Sequence, residues 1–208
     1  LADLKGMDSY TAGSMSQGSG GANGGVGVLL DGLPETSKAK SPLGQAEVTL
    51  QVNPEAPSTD TYTAGDFSQG SSGPIGGVGV LMDREHNGGQ PNVFTAGTYS
   101  QGAATAHGVG VLLNNAGKDD YFAGAFSQGA SDAGLGVLVD QAGNDGYYPA
   151  DASNSHGAAE SSFAGGSPAI AIGLLVDDGG NDDHPDMGDN ECKQKGDIGV
   201  AMDAEGTA

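Results

Sequence analysis

The chain has 208 residues, of which 39 are glycine, and its 27 acidic and 7 basic side chains give a formal net charge of −20. Glycine at this level without a three-residue period excludes a collagen-like triple helix, and an acidic surface disfavours binding to nucleic acid phosphates or anionic membranes. No run of residues approaches the ~18 apolar residues of a transmembrane helix. We therefore expect neither a nucleic acid partner nor a membrane span.

A phrase with the pattern Gly-Val-Gly-Val-Leu-Leu-Asp recurs along the chain. Its copies lie at 25–31, 77–83, 108–114 and 134–140, with looser copies at 171–177 and 197–203. Between copies, Ser-Gln-Gly recurs at Ser16, Ser68, Ser100 and Ser127, and weakens at 153–155. Self-similarity at a regular period indicates stacked supersecondary units, and the shortest step between copies is about 26 residues.

Each phrase alternates with period two, which predicts a short β-strand rather than a helix. One face of the strand is aliphatic or Met in every copy, which is typical of a core face. These triplets, which we predict to be buried, are Val26/Val28/Leu30, Val78/Val80/Met82, Val109/Val111/Leu113, Leu135/Val137/Val139, Ile172/Leu174/Val176 and Ile198/Val200/Met202. The opposite face carries a glycine and a leucine, as at Gly110 and Leu112. We expect that face to be covered by a second sheet of the chain or by another copy, unless a bulge turns the leucine inward.

One strand per unit, separated by Gly and Asp corners, predicts an all-β fold: a parallel β-solenoid (β-helix) with turns of about 26 residues and loop insertions. Residues 1–208 are expected to form one solenoid segment of a longer repeat protein, because both ends fall inside a unit. The long step at 32–61 is an insertion or degenerate turn, and its alternating segment 46–52 predicts a strand, either as an edge cover or in a protruding hairpin.

Equivalent side chains of successive turns should stack into rows. One predicted aromatic row contains Tyr10, Tyr62, Phe94, Tyr121 and Tyr147, and a second contains Met15, Phe67, Tyr99 and Phe126. The Gln residues of Ser-Gln-Gly are expected to form an internal amide row, with a carbohydrate- or ice-facing stripe as the alternative. Glycines 13, 65, 97 and 124 are expected to have positive φ at a corner.

The acidic corners are the strongest chemical signal. Asp or Asn recurs with a five-residue spacing and an intervening glycine, as at Asp140 and Asp145. Carboxylates stacked at ~4.8 Å repel each other by roughly 1 kcal/mol per pair in water, so a row of them needs solvent, an alternating partner or a bound cation. Flexible, oxygen-rich turns suit Ca²⁺, whereas Asp as a turn former is the alternative. The predicted metal ligands are Asp3, Asp8, Asp119, Asp140, Asp145, Asp177, Asp182 and Asp183.

The repeated phrases also carry two resemblances to known proteins. The Gly-Asn-Asp phrases at 143–145 and 180–182 loosely resemble the Gly-rich Asp turns of calcium-binding RTX β-rolls, whose shorter period prevents any transfer of ligand pattern. Over most of the chain, the Gly-Val-Gly-Leu-Leu-Asp and Gly-Asp-Asp-x-Tyr type phrases resemble secreted bacterial β-solenoid repeat proteins. That resemblance implies an extracellular or cell-surface location in a bacterium and no particular activity.

The predicted function is structural: a scaffold module of a fibre, surface layer or adhesin, stabilised by Ca²⁺. Its expected partners are further copies or other surface proteins, bound end to end or through the Gly/Leu face. The four histidines fall at positions that look unrelated, and no phosphate loop or catalytic triad is apparent, so no catalytic residue is predicted. The alternative is a β-helix that binds or cleaves polysaccharide in a groove walled by 32–61 and 141–169.

Overall fold

The computed structural model describes residues 7–21, 24–32, 36–40, 47–51, 59–73, 76–84, 91–151, 154–161, 170–184 and 198–203. These ranges contain no α-helix. Their strands are β1 (Ser9–Thr11), β2 (Val26–Asp31), β3 (Thr36–Lys40), β4 (Glu47–Gln51), β5 (Thr61–Thr63), β6 (Val78–Asp83), β7 (Val93–Thr95), β8 (Ala104–Thr105), β9 (Val109–Asn114), β10 (Asp120–Ala123), β11 (Ser131–Asp132), β12 (Leu135–Asp140), β13 (Gly146–Pro149), β14 (Ala159–Glu160), β15 (Ile172–Asp177) and β16 (Ile198–Asp203). The prediction of an all-β fold is confirmed.

Three parallel sheets contain almost all of the strands. The six-stranded sheet, which we call the long-strand sheet, has the order β16-β15-β12-β9-β6-β2 and contains every copy of the recurring phrase. The five-stranded sheet, which we call the aromatic sheet, has the order β1-β5-β7-β10-β13, and a short sheet has the order β14-β11-β8. Strands therefore pair with their equivalents in the neighbouring repeats.

The pairing is in register, so that equivalent residues are neighbours. Leu112 pairs with Leu81 on one side and with Leu138 on the other. The aromatic side chains stack in the same way, with ring centroids 4.6 Å apart for Tyr62 and Phe94 and 5.1 Å apart for Phe67 and Tyr99. The prediction of two aromatic rows is confirmed for the residues in these stacks.

The insertion at 32–61 contains the antiparallel pair β3 and β4. The strand predicted at 46–52 is confirmed as β4. Its partner β3 precedes it directly in the chain, so the two strands form the hairpin that was one of the predicted alternatives.

The prediction about which face of the long strand is buried is wrong. The leucines of the Gly/Leu face are at most 3% exposed, namely Leu29, Leu81, Leu112, Leu138 and Leu175. The aliphatic triplets lie on the outer face, where Val26 is 72% exposed and Ile198 is 51% exposed. The covering sheet predicted for the leucines is the aromatic sheet of the same chain, because its rings pack against them in one cluster.

The glycines explain why this face is turned inward. A Cβ atom on Gly110 would overlap the backbone carbonyl of Ala103, and one on Gly136 would overlap that of Ala130. The chain that follows Ser-Gln-Gly therefore packs directly against the long strands, and only glycine permits that approach. The Gly/Leu face is interior in the described repeats, so it is not available to a partner.

The glutamines are internal, as expected, but they bind the backbone rather than one another. Gln69 Nε2 donates hydrogen bonds to the carbonyls of Tyr62 (2.9 Å) and Thr95 (3.0 Å), which belong to neighbouring repeats.

Gln69 has a φ of 50° and Phe67 has a φ of 52°. The backbone of these two residues therefore has positive φ, whereas glycines 13, 65, 97 and 124 do not. The prediction of positive φ at those four glycines is wrong. At Gly97 the constraint is instead close packing, because a Cβ atom would overlap Asp66 of the preceding repeat.

Two substitutions on one strand test the assignment of inside and outside. Leu112→Ala leaves a cavity in the interior and is expected to lower the free energy of unfolding by about 2–5 kcal/mol. Val111→Thr lies on the outer face and is expected to change it by less than about 1 kcal/mol. Urea denaturation of both variants at the same low protein concentration measures the difference, and equal losses would contradict the assignment.

Candidate cation sites in the acidic corner

Two rows of Asp and Asn side chains run through the repeats. The corner row precedes the strands of the aromatic sheet and contains Asp8, Asp60, Asn92, Asp119, Asp145 and Asp182. The strand-end row closes the long strands and contains Asp31, Asp83, Asn114, Asp140, Asp177 and Asp203. Parallel in-register pairing brings each row into line from repeat to repeat.

The corner row is held by the backbone. In each case Oδ1 of one residue accepts the N–H of its equivalent in the preceding repeat. The distances are 2.6 Å from Asn92 N to Asp119, 2.7 Å from Asp119 N to Asp145, and 2.7 Å from Asp145 N to Asp182. One oxygen of each accepting side chain thereby binds the backbone, and the second oxygen of Asp119 accepts a hydrogen bond from Asn114 of the other row.

The strand-end row is held by the tyrosines of the aromatic row. The Tyr121 hydroxyl donates to Asp140 Oδ2 at 2.6 Å, and the Tyr147 hydroxyl donates to Asp177 Oδ2 at 2.9 Å. The Tyr62 hydroxyl lies 2.5 Å from Asp31 Oδ2 and 3.0 Å from Asp83 Oδ2. A hydroxyl has one proton, so Tyr62 can donate fully to only one of these two carboxylates.

The two rows face each other, and the identity of each facing pair decides whether it closes by a hydrogen bond. Asn114 Nδ2 donates to Asp119 Oδ2 at 2.7 Å, and Asn92 Nδ2 donates to Asp83 Oδ2 at 3.1 Å. Asp140 faces Asp145 with no such donor, because an ionised carboxylate only accepts hydrogen bonds. An Asp–Asp pair therefore lacks the amide hydrogen bond that links an Asn–Asp pair, and a proton or a cation would have to take its place.

Three groups in the described part of the chain bring ligating atoms within 4.8 Å of one another. They are Asp8/Asp31/Asp60, Asp119/Asp140/Asp145 and Asp177/Asp182/His184. The middle group is fully buried, and Asp145 is only 2% exposed. Asp145 Oδ2 is buried and accepts no hydrogen bond. These clusters could hold a metal ion.

Burial makes the charged form of these groups unfavourable. Desolvation, with a further contribution from Asp140, raises the pKa of Asp119 to about 8. Desolvation likewise raises the pKa of Asp145 and of Asp140, and raises that of Asp177 to about 7. Without a cation, several of these carboxyls therefore bind protons near neutral pH.

The structure gathers most of the predicted ligands into these clusters. Asp119, Asp140 and Asp145 lie together, Asp177 and Asp182 lie together, and Asp8 lies with two residues that the repeat pattern alone did not single out. Asp183 is outside the clusters and accepts a hydrogen bond from the Tyr148 hydroxyl at 3.2 Å. Asp3 lies outside the described residues.

Three cluster members were not predicted from the sequence. Asp31 ends the first phrase just as Asp140 ends the fourth, and Asp60 precedes Thr-Tyr-Thr just as Asp8 precedes Ser-Tyr-Thr. The insertion between Asp31 and Asp60 replaces the five-residue spacing and hides their relationship. The third is His184, whose position looks unrelated to the repeat, but its ring stacks on Tyr147 as the next member of the aromatic row.

The described part also bears on the predicted polysaccharide groove. Its walls, 32–61 and 141–169, lie partly outside the described residues. A cleft does occur at the first repeat, where Tyr10, Gln17, Gly18 and Leu29 line the end of the interior, and its lining contains no acidic or basic side chain.

None of the described residues forms a helix long and apolar enough to span a membrane.

Comparisons of the chain with protein-family models, with curated proteins and with solved structures give no significant match.

The raised pKa values predict how stability depends on pH in the presence of EDTA. A carboxyl whose pKa is higher in the folded than in the unfolded state binds more protons when folded, so its contribution is lost as pH rises through the folded pKa. For Asp119 and Asp177, with pKa values of about 8 and about 7 against an ordinary value of 3.8, stability should fall as the pH rises from about 5 to about 8 and level off above that. His156, whose pKa is lowered to about 4 by burial, is neutral throughout this range.

Urea denaturation at about pH 5.5, 6.5 and 7.5 measures this dependence. Asp119→Asn should reduce the slope because it removes one of the titrating groups, whereas Asp178→Asn, at an exposed position, should leave the slope unchanged. A stability that is flat or rises over this range would contradict the prediction.

Proposed function

We propose that this chain is a structural module, a parallel β-solenoid that serves as a scaffold in an extracellular or cell-surface assembly and binds Ca²⁺ in its buried acidic clusters. The observation that carries the proposal is the contrast between two kinds of facing pair. The Asn114–Asp119 pair closes by its own hydrogen bond, whereas the Asp140–Asp145 pair leaves Asp145 Oδ2 buried without a hydrogen bond.

The donor set favours a hard cation. The cluster of Asp119, Asp140 and Asp145 offers carboxylate oxygens only, and Ca²⁺ takes about six to eight oxygen ligands with flexible geometry. Each of the three residues offers one such oxygen, and water would supply the remaining ligands. The competing occupant is a proton, which the raised pKa values of the same groups also favour.

The proposed extracellular location rests on the affinity for Ca²⁺ that we expect of these clusters. Burial and the mutual repulsion of the clustered carboxylates oppose an empty, charged site, but the same carboxylates are also engaged by backbone N–H groups and tyrosines. Such a site is suited to the Ca²⁺ concentrations outside cells, where protein modules bind this ion with Kd values of about 10⁻⁴–10⁻³ M. Binding would also reduce the self-repulsion of a chain with a net charge of −20.

The outer face of the long-strand sheet provides the scaffold with a contact surface. This aliphatic face consists of the six triplets and contains no charged or polar side chain. Val26, Val78, Ile198 and Met202 are among its exposed residues. Strands ~4.8 Å apart and six residues of ~3.3 Å each give a face of roughly 24 by 20 Å, or about 500 Å².

We propose that the partner on this face is a second copy of the chain. Two such faces packed together would bury about 1,000 Å² in total, which is the size at which biological interfaces begin. Flat sheets pack face to face at ~10 Å through interdigitating apolar side chains, and the aliphatic face is complementary to itself in chemistry. A partner with a charged surface would not match it.

Calcium dependence is the first test of the proposal. Thermal unfolding in EDTA and in millimolar Ca²⁺ should give a higher Tm with Ca²⁺, because an ion that binds only the folded state stabilises by about 2.7 kcal/mol at a hundredfold excess over Kd. That corresponds to roughly 5–10 °C for a chain of this length.

Two exchanges use the chain's own Asn–Asp pair as a template. Asp140→Asn should raise the Tm in EDTA and reduce the Ca²⁺ response, because an amide can then bind Asp145 as Asn114 binds Asp119. Asn114→Asp should have the opposite effect, and Asp178→Asn serves as the exposed control. Equal Tm values in EDTA and Ca²⁺, with no bound metal found by elemental analysis, would exclude the calcium proposal.

Self-association is tested separately by sedimentation equilibrium. The wild type is expected to dimerise, and added salt should strengthen the dimer by screening the repulsion between two acidic copies. Val137→Lys on the aliphatic face should abolish the dimer, whereas Thr95→Lys, an exposed position on the aromatic sheet with the same charge change, should not. A wild type that stays monomeric at high concentration and high salt would contradict this use of the face.

A further inference from the structure

Each repeat contributes one layer of side chains, which we call a rung, to the interior. The last described rung departs from the preceding ones at two positions. His184 occupies the place of tyrosine in the aromatic row and stacks on Tyr147, with ring centroids 4.5 Å apart and planes 6° apart. His156 occupies the place of glutamine, because Ser127 N donates to Ser155 Oγ in the same way that Ser100 N donates to Ser127 Oγ. Its φ of 49° also matches the value of 50° at Gln69.

The structure thereby corrects the prediction that the weakened Ser-Gln-Gly phrase lies at 153–155. The phrase is instead Ser155-His156-Gly157, so both replacements in the interior are histidines. Their rings lie 6.0 Å apart in an edge-to-face arrangement. Two neighbouring histidines thus replace residues that recur in the other rungs, and their chemistry differs from that of the tyrosine and glutamine they replace.

The imidazole of His184 lacks the hydrogen bond that the two preceding members of its row make. Tyr121 and Tyr147 donate to the strand-end carboxylates Asp140 and Asp177. The equivalent carboxylate for His184 is Asp203, and the distance from Nε2 to Asp203 Oδ2 is 3.6 Å, which is too long for a hydrogen bond. The side chain of His184 is only 5% exposed, and neither ring nitrogen has a hydrogen-bond partner.

The neighbouring carboxylates have unused oxygens at the same place. Asp177 is 1% exposed and its Oδ1 accepts no hydrogen bond, and Asp182 Oδ2 is buried and likewise has none. One ligating atom from each of Asp177, Asp182 and His184 lies within 4.8 Å of the others. Leaving such groups buried without partners is unfavourable, and one metal ion would satisfy all three.

We propose that His184, Asp177 and Asp182 bind a transition-metal ion of the Zn²⁺ class. Zn²⁺ binds imidazole nitrogen at about 2.0–2.1 Å and carboxylate oxygen at about 2.0–2.2 Å, in tetrahedral geometry. Two ligands of one tetrahedral ion then lie about 3.3 Å apart, which is close to the 3.6 Å between His184 Nε2 and Asp203 Oδ2. Asp203 is therefore the candidate fourth ligand.

The nitrogen ligand distinguishes this site from the oxygen-only clusters. Imidazole suits Zn²⁺, Cu²⁺ and Ni²⁺, whereas sets of carboxylates alone suit Ca²⁺ and Mg²⁺. Burial lowers the pKa of His184, which favours the neutral form of the ring that a metal binds. The site shares no residue with the clusters of Asp119 and of Asp31, so it can be present whether or not those bind calcium.

The site is tested with Zn²⁺ alone, titrated calorimetrically into the full chain after treatment with EDTA and dialysis. We expect one Zn²⁺ per chain, and we expect Co²⁺ to give the absorption spectrum of a tetrahedral site. His184→Tyr restores the tyrosine found at every other described position of the row except Phe94, so it should fold well and bind Zn²⁺ more than about 100-fold more weakly, since even loss of an outer-shell partner weakens binding about 10–100-fold. The Ca²⁺-induced change in Tm should be the same in this variant as in the wild type.

Two further variants keep the test decisive. Asp177→Asn can still accept the Tyr147 hydrogen bond, and it should weaken Zn²⁺ binding even if His184→Tyr fails to fold. His107→Asn, which replaces an exposed histidine outside the site, should leave binding unchanged. An absence of Zn²⁺ binding by the wild type, or binding by the His184→Tyr and Asp177→Asn variants that equals that of the wild type, would overturn the proposal.

Discussion

The narrow interior of the repeat is the constraint on which the rest of the structure depends. Each rung has room for one leucine from the long-strand sheet, one ring from the aromatic sheet and one glutamine. Glycine at positions such as Gly110 lets the facing backbone approach until no side chain fits between. Because the strands pair in register, equivalent side chains lie beside one another in successive rungs. A polar group placed inside must therefore find its partner in its own rung or in an adjacent one.

This constraint accounts for the chemistry of the acidic corner. Parallel register places carboxylates beside carboxylates, and the fold relieves their repulsion with three kinds of donor: backbone N–H groups, tyrosine hydroxyls and the amides of Asn92 and Asn114. Where both members of a facing pair are Asp, these donors are used up before every oxygen is satisfied, as Asp145 Oδ2 illustrates. The Asn residues, which look like losses from an acidic motif in the sequence, are the positions where a facing pair is linked by its own hydrogen bond.

The repeat, the strand positions and the aromatic rows could be predicted because they depend only on periodicity. The choice of the buried face could not be made from hydrophobicity, because valine triplets outnumber the single leucine of the opposite face. The decisive signal was the alternation along the strand, which places Asp31 on the same face as Gly27 and Leu29. An Asp that recurs in every repeat together with a Tyr indicates an interior in which the two side chains can form a hydrogen bond. The pairing of Asp31 with Asp60 and the place of His184 in the aromatic row depend on insertions of unequal length, which conceal equivalent positions.

The same constraint determines the character of the outer surface. Since each long strand can send only one large side chain inward, its β-branched residues, which favour strands, must lie outside. In-register stacking then aligns them into a continuous apolar sheet face across six strands, and this face carries no charged side chain. Such a face would favour indiscriminate sheet packing, but a net charge of −20 opposes close approach of two copies at low ionic strength. Cations bound in the corners would weaken that repulsion, so occupancy of the interior sites and association through the outer face should be thermodynamically coupled even though they share no residue.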